Sequence, residues 1–105
     1  RERSLWRCPM TLCLVTHSWK SEQYKLVARK VIEALQNLPK GTTIVNSHVD
    51  ARLNGAWCVY ETENPDELVK YLVKSVPEMT SHAIPVIQFF PPGPDLYKMI
   101  HVMSQ

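Results

Sequence analysis

Cysteine is scarce in this sequence, and its spacing argues against two kinds of site. The chain of 105 residues has three cysteines, Cys8, Cys13 and Cys58. Because the number is odd and no two of them form a C-x-x-C pair, neither a disulfide framework nor a zinc ribbon is implied. Reduced thiols are typical of the cytoplasm, so we expect a cytoplasmic protein.

The sequence also lacks a strong excess of charge and a long apolar run. Its 12 basic and 10 acidic residues leave a net charge of +2, whereas proteins that bind nucleic acids usually concentrate a larger basic excess. No stretch of the sequence approaches the ~18 apolar residues that a membrane helix needs. We therefore expect neither a nucleic acid nor a membrane as partner.

What is present is the composition of one folded domain. Hydrophobic residues make up 45% of the chain and charged residues 21%, which is within the globular range. Residues 1–9 are basic and precede the patterned sequence, so we expect them to be a flexible N-terminal extension or a cloning remnant. Residues 10–90 should form the domain, and residues 91–105 should form a proline-rich turn followed by a short helix.

Hydrophobic periodicity predicts a strand, a helix and a second strand in the first half of the domain. Residues 10–17 form a short apolar run of the kind found in strands that are buried on both faces. Apolar residues then recur at helical spacing as far as Pro39, which predicts an amphipathic helix. Residues 43–51 alternate in polarity, and this pattern predicts a strand with two unlike faces.

A turn signal predicts that the second and third strands form a hairpin. Asn54-Gly55 is the strongest short hairpin signal, because a type I′ turn needs two residues that tolerate positive φ. Residues 56–61 then return as the third strand. With a two-residue turn, His48 would face Glu61 across the hairpin.

Capping residues and prolines predict the last helix and strand of the domain. Asn64 followed by proline is a favourable helix start, so we expect a helix over residues 65–75. Residues 82–90 read as a strand that contains Pro85. Proline is tolerated in sheets mainly at an edge, which predicts that the last strand lies at an edge.

The order of these elements predicts an α+β fold. Strand, helix, hairpin, helix and strand make the βαββαβ pattern of ferredoxin-like domains, with a four-stranded antiparallel sheet in the order 4-1-3-2 and two helices on one face. The first strand offers Leu12 and Leu14 to one face and Cys13 and Val15 to the other, so both faces are apolar. Because the helices can cover one face alone, we expect a homodimer in which two sheets pack face to face.

Four segments give the chain a resemblance to a known group of proteins. They are residues 10–17 (MTLCLVTH), residues 41–49 with Gly41 and the SHV triplet, residues 57–61 (WCVYE) and residues 64–68 (NPDEL). In pattern and element order over residues 10–90, the chain resembles the dimeric α/β-barrel superfamily, which includes cofactor-free monooxygenases, muconolactone-isomerase-like proteins, stress-responsive barrel proteins and short stand-alone members. The resemblance implies a homodimer whose sheets close into a barrel with the helices outside. No catalytic residue set carries over from it.

Polar residues of the hairpin are the candidates for function. A carboxylate beside an imidazole raises its basicity, so His48 with Glu61 is a candidate general base or metal ligand. His17, at the end of the neighbouring strand, could join them. The alternative is that these side chains make the hydrogen bonds of a polar dimer seam, which is the commoner arrangement. The candidate ligand-binding residues are His17, His48, Asp50, Trp57 and Glu61.

Neither a metal site nor RNA binding is supported by the spacing of residues. The histidines and acidic residues have no local H-x-x-x-H or similar spacing, so we predict no metal site and no cofactor. RNA-recognition domains share the ferredoxin-like fold, but they stack bases on two aromatic residues of one strand face. Trp57 and Tyr60 are three residues apart and face oppositely, so this pattern is not met.

Three alternatives for function remain open at the level of sequence. The first is a homodimer that binds a small molecule or a metal in the barrel cavity or between sheet and helices. The second is a cofactor-independent monooxygenase or isomerase that uses His48 as its base. The third is a purely structural or regulatory dimer that needs no site. A cavity beside the candidate residues would favour the first two over the third.

Overall fold

In the computed structural model, residues 10–104 are described and form an α+β domain. The predicted N-terminal extension at residues 1–9, which contains Cys8, and Gln105 lie outside the described residues. In chain order, the elements are β1 (Thr11–Ser18), a 3-10 helix (Ser21–Gln23), α1 (Tyr24–Gln36), β2 (Thr42–Val49), β3 (Gly55–Thr62), α2 (Pro65–Ser75), β4 (Thr80–Pro85) and α3 (Pro94–Met103).

The four strands form one antiparallel sheet in the order β2-β3-β1-β4, so the predicted α+β class and antiparallel sheet are confirmed. Counted from the β4 edge, this order reads 4-1-3-2. The strand β4 lies at an edge, and its last residue, Pro85, is opposite Cys13 of β1. The N–H of the next residue, Val86, donates to the Leu12 carbonyl of β1 at 2.9 Å, so the alternation of an antiparallel ladder points the Pro85 nitrogen to the free edge, where no ladder hydrogen bond is lost.

One face of the sheet is covered by helices, and we call it the covered face. It carries the buried residues of β1 and β3, and one core cluster joins Cys13 and Tyr60 of this face to Leu68 and Leu72 of α2, with Leu35 of α1 packed against it. Both helices therefore lie on one side, as predicted. The buried strand residues of the covered face are Cys13, Val15, His17, Thr42, Ala56, Cys58, Tyr60 and Thr62.

The opposite face carries no helix from α1 or α2, and we call it the open face. The cross-strand register arranges its side chains in three rows, of which the middle row is mostly apolar and joins Asn46, Val59, Leu14 and Ile84. Ile84 is 49% exposed. Within residues 10–104, apolar side chains of this face are therefore left partly without cover. The other rows are His48, Trp57, Thr16 and His82, and Thr43, Glu61, Leu12 and Val86.

The second main helix is capped by Asn64, as the sequence predicts. The Asn64 side chain accepts a hydrogen bond of 3.2 Å from the Glu67 backbone N–H, and Pro65 is the first helical residue. The cap satisfies one of the N–H groups that the first turn of a helix leaves unpaired. Residues 65–75 form α2, which confirms the predicted helix.

The connection between β2 and β3 corrects the predicted two-residue turn. The strand β2 ends at Val49, which is opposite Ala56, and residues 50–54 form a five-residue loop. Within it, the Leu53 N–H donates to the Asp50 carbonyl at 2.8 Å, and Leu53 has a positive φ of 63°. Gly55 is therefore not a turn residue but the first residue of β3.

Two sets of contacts outweigh the local preference of Asn54-Gly55 for a tight turn. The Asp50 carboxylate accepts two hydrogen bonds from Arg52, one from the backbone N–H at 2.8 Å and one from the guanidinium at 2.6 Å. These bonds stabilise a turn at Asp50. Trp19 then fixes the loop from outside, because its Nε1–H donates to the Leu53 carbonyl at 2.8 Å. The contact between Trp19 and Leu53 joins residues 34 positions apart, so no local sequence pattern predicts it.

The last strand is shorter than predicted. It ends at Pro85, five residues before the predicted end, and beyond it the Val86 N–H donates to the Leu12 carbonyl at 2.9 Å. Phe89 and Phe90 lie outside the sheet and are 72% and 87% exposed. The apolar run is thus divided between a strand and a segment that leaves the domain, which we call the C-terminal arm (residues 86–104).

Candidate functional site

A small cavity lies between the covered face and α1, and we call it the His17 pocket. Its volume is about 100 Å³, and its lining is almost wholly apolar. Ala28 and Val31 reach it from α1, while Val49 and Ala56 reach it from the sheet. The remaining lining residues are His17, Trp19, Tyr24, Ser47, Leu53, Cys58 and Met79.

His17 is the most polar group of this pocket. It is only 6% exposed, and its Nδ1 lies 2.8 Å from the Ser81 Oγ. Burial lowers the pKa of His17 to about 4, so the ring is neutral at pH 7. Among residues 10–104, the other ring nitrogen, Nε2, has no hydrogen-bond partner and is not sealed from solvent. This nitrogen is available to a molecule in the pocket.

Ser47 and Cys58 form the second polar feature of the pocket. The Ser47 Oγ lies 3.2 Å from the Cys58 Sγ, and each residue comes from a neighbouring strand. Burial raises the pKa of the Cys58 thiol, so it stays protonated near neutral pH. A protonated, 3% exposed thiol behaves as a small apolar group rather than as a nucleophile.

The three candidates on the open face are arranged differently from the prediction. His48 lies opposite Trp57, and Glu61 lies opposite Thr43, so the predicted His48–Glu61 pair is wrong. The five-residue loop shifts the hairpin register by four residues relative to a two-residue turn. A β-bulge at Val45 then shifts it by one more.

Asp50 lies away from both faces of the sheet. Its carboxylate is held by Arg52 in the β2–β3 loop, and the hydrogen bonds and charge of that guanidinium lower the pKa of Asp50 to about 2. Asp50 therefore does not lie on a strand face, contrary to what its place in the predicted strand over residues 43–51 implied. Asp50 and Arg52 both shape the loop that carries Leu53 to the His17 pocket.

The candidate residues therefore separate into three places. His17 is on the covered face, His48, Trp57 and Glu61 are on the open face, and Asp50 is in the loop. The sheet itself separates His17 from His48. The sequence does contain a signal for the face on which His17 lies, because alternation along β1 places His17 on the same face as Cys13 and Val15.

Most of the pocket wall was not predicted as functional. Trp19 follows the end of β1, and Met79 lies in the connection between α2 and β4. No local pattern identifies them, because both reach the pocket through tertiary packing against Val27 and Val76.

Two further classes of site are absent from the described part of the chain. Among residues 10–104, no three His, Cys, Asp or Glu side chains come together in a way that could hold a metal ion. Over the same residues, none of the helices is both long enough and apolar enough to cross a membrane.

Comparison with known proteins gives one match. The family model described as a domain of unknown function, DUF3303, matches residues 11–89. No curated protein and no solved structure matches the chain. The matched range contains all four strands, α1 and α2, and it ends before α3.

Proposed function

The chain belongs to DUF3303, a family of domains of unknown function, and we propose that it is a homodimer that binds a small uncharged organic molecule in the His17 pocket. The observation that carries this proposal is an apolar cavity beside a buried, neutral imidazole whose Nε2 has no partner among residues 10–104. A few polar groups in an apolar pocket are typical of small-molecule sites.

The size of the cavity limits the ligand. An engineered apolar cavity of roughly 150 Å³ encloses benzene. A cavity of about 100 Å³ therefore takes a six-membered ring only if part of the ring stays at the mouth of the pocket, beside the exposed Tyr24 and Ala28. The lining contains no Lys, Arg, Asp or Glu. A charged ligand would lose its hydration there without gaining an opposite charge, which disfavours ions.

The polar group of the ligand follows from His17. Ser81 Oγ can donate or accept a hydrogen bond, so Nε2 of His17 is an acceptor in one tautomer and a donor in the other. A hydroxyl group fits both tautomers because it can donate and accept. We therefore propose phenols and small cyclic alcohols as the ligand class.

The second part of the proposal is that the domain is ferredoxin-like and that two copies pair through their open faces as a dimeric α/β barrel. The support is the uncovered apolar surface around Leu14, Val59 and Ile84, since each Å² of apolar surface removed from water is worth about 25 cal/mol. His48 and His82 would then lie at the polar seam. We place this dimer in the cytoplasm, as expected for the free thiols Cys13 and Cys58.

The enzyme alternative gains no support from the strand register. As a general base, His48 would benefit from a carboxylate that orients it, and Trp57 stands opposite it instead. A binding role therefore fits the geometry better than a monooxygenase or isomerase role.

Filling the pocket should abolish binding of a probe ligand. Ala28 lines the pocket from α1 and is itself exposed, so Ala28→Phe can occupy the cavity without disturbing the core. We expect this variant to bind phenol at least tenfold more weakly than the unaltered protein, as measured by calorimetric titration. Ile32→Phe is the matched control, because Ile32 lies one turn further along α1, is 60% exposed and does not line the pocket. Failure of the unaltered protein to bind phenol or cyclohexanol would refute the proposed ligand class.

Removing the imidazole should separate hydrogen bonding from apolar packing. His17→Leu eliminates the polar contact, and a neutral hydrogen bond contributes about 1 kcal/mol. We therefore expect phenol binding to weaken roughly five- to tenfold, while benzene binding stays unchanged. The measurement is ligand-detected NMR with both probes on the same protein sample. An equal loss for both probes would mean that the pocket had collapsed, and no loss for phenol would show that His17 does not contact the ligand.

A further inference from the structure

The C-terminal arm has an apolar surface that the other described residues leave uncovered. In α3, Leu96 is buried, whereas Tyr97, Val102 and Met103 are 64%, 70% and 74% exposed. Ahead of α3, Phe89 and Phe90 are 72% and 87% exposed. A soluble protein rarely leaves so many large apolar side chains together in water unless another surface covers them.

The arm also projects from the domain. The radius of gyration is 15.6 Å, whereas a compact domain of this length is expected to have about 13 Å. The described residues extend over 49 × 30 × 17 Å, so the molecule is long in one direction and thin in another. Leu96 packs α3 against its own chain, whereas Phe89, Phe90 and Met103 remain mostly uncovered by residues 10–104.

The root of the arm lies on the side of the open face. A groove of about 320 Å³ has Leu12, Val45 and Glu61 on its sheet side and arm residues from Val86 to Asp95 on its other side. Leu12 and Glu61 belong to the third row of the open face. The arm therefore starts on the side of the sheet where a second copy would sit in the proposed dimer.

The open face alone is too small for a stable dimer. Four strands spaced ~4.8 Å apart and about seven residues long cover roughly 450 Å² on each copy. Two copies would then bury about 900 Å², below the 1,200–2,000 Å² that is typical of stable interfaces. Each phenylalanine offers roughly 150–250 Å², so Phe89 and Phe90 of two arms would add about 600 Å² at their present exposure. With the arms, the interface reaches the usual range.

From these observations we propose that the arms are exchanged in the dimer, in that the exposed apolar side chains of each arm pack against the other copy while Val86 stays paired with Leu12 of its own chain. These side chains are Phe89, Phe90, Tyr97, Val102 and Met103. This inference rests on the proposed homodimer and adds what holds it together. The partner surface is that of a second copy of this chain, because the arm and the uncovered sheet face occur on the same molecule and on the same side. With a twofold axis between the copies, each arm makes the same contacts with the other copy.

The first test removes the apolar arm residues from the full-length protein. Phe89→Ser/Phe90→Ser changes two highly exposed side chains, so the fold of the single chain should be unaffected. We expect light scattering across a concentration series to give this variant a dimer dissociation constant at least tenfold higher than that of the unaltered protein. The matched control is Ile32→Ser/Val73→Ser, which removes apolar side chains that are 60% and 49% exposed on the helix layer. It should dimerise as the unaltered protein does.

The outcomes distinguish the arm from the dimer itself. A monomeric unaltered protein would overturn the proposed homodimer together with the exchanged arms. An unaltered dimer that Phe89→Ser/Phe90→Ser leaves equally tight would overturn the arms alone, because the open faces would then suffice.

A second test asks which copy the arm contacts. A photo-crosslinking amino acid replaces Met103, which is 74% exposed near the end of α3, in a mixture of ¹⁴N and ¹⁵N protein. We expect mixed-isotope crosslinks, since the arm lies on the partner. The same label in place of Lys70, which is exposed on α2, should give none. Crosslinks confined to one isotope would show that the arm folds back on its own chain.

Discussion

Leu14→Glu is expected to convert the dimer into a folded monomer. Leu14 is in the middle row of the open face, between Val59 on β3 and Ile84 on β4. In a face-to-face dimer, its side chain would be buried, and a carboxylate there would lose its hydration without gaining a partner. Glu61 of the same face adds a charge of the same sign. An uncompensated buried charge costs about 3 kcal/mol or more, which corresponds to a dissociation constant raised more than a hundredfold.

The measurement is sedimentation or light scattering over a range of protein concentrations, together with circular dichroism to check the fold. Ile84→Glu is a second variant at a side chain that is already half exposed, so it reports on pairing with little effect on folding. Ile32→Glu on α1 is the control and should remain dimeric. If Leu14→Glu and Ile84→Glu both dimerise like the control, the open face is not the interface.

Lowering the pH from 7 to 5 is expected to reduce the free energy of unfolding by about 2 kcal/mol through His17 alone. Burial lowers its pKa from 6.5 to about 4 in the folded chain. Between these values, the unfolded chain binds a proton at His17 and the folded chain does not, so stability falls as the pH falls. Each unit of pKa difference corresponds to about 1.36 kcal/mol. The contribution of His17 is complete above pH 6.5 and is lost progressively down to pH 4.

Urea denaturation at a fixed protein concentration measures this slope, and a pair of variants assigns it. His17→Asn can keep a hydrogen bond to Ser81 but has no titrating ring, so its stability should change little between pH 7 and pH 5. His82→Asn removes an exposed histidine of β4 and should keep the slope. Asp50 and Glu78 do not interfere, because their lowered pKa values place their titration below this range. A slope that survives in His17→Asn would mean that another group causes it.

The parts of the fold that the sequence predicted are those fixed by neighbouring residues. Asn64 caps α2 through a bond to a residue three positions away, and alternation along β1 places Cys13 and Val15 on the core side. These signals are local and repeat with the period of the element. The element order and the antiparallel sheet follow from them.

The parts that it did not predict depend on contacts between distant segments. The β2–β3 loop is held by Trp19 from the end of β1, and its length shifts His48 away from Glu61. The His17 pocket exists because α1 and the connection after α2 close over one end of the sheet. A pattern in one segment carries no information about packing between distant segments. The sequence could therefore indicate single candidate residues, but not which of them lie together in a site.

The edges of the sheet limit what kind of assembly the chain can form. The edge strand β2 is interrupted by the bulge at Val45, and the opposite edge strand is only six residues long and ends in proline. A bulge twists the ladder and a proline removes a donor, so neither edge offers a long regular row of backbone groups to another strand. Growth by strand addition, the route by which exposed edges build fibrils, is blocked at both ends. Any association that the apolar face drives is therefore not extended by strand pairing at the sheet edges.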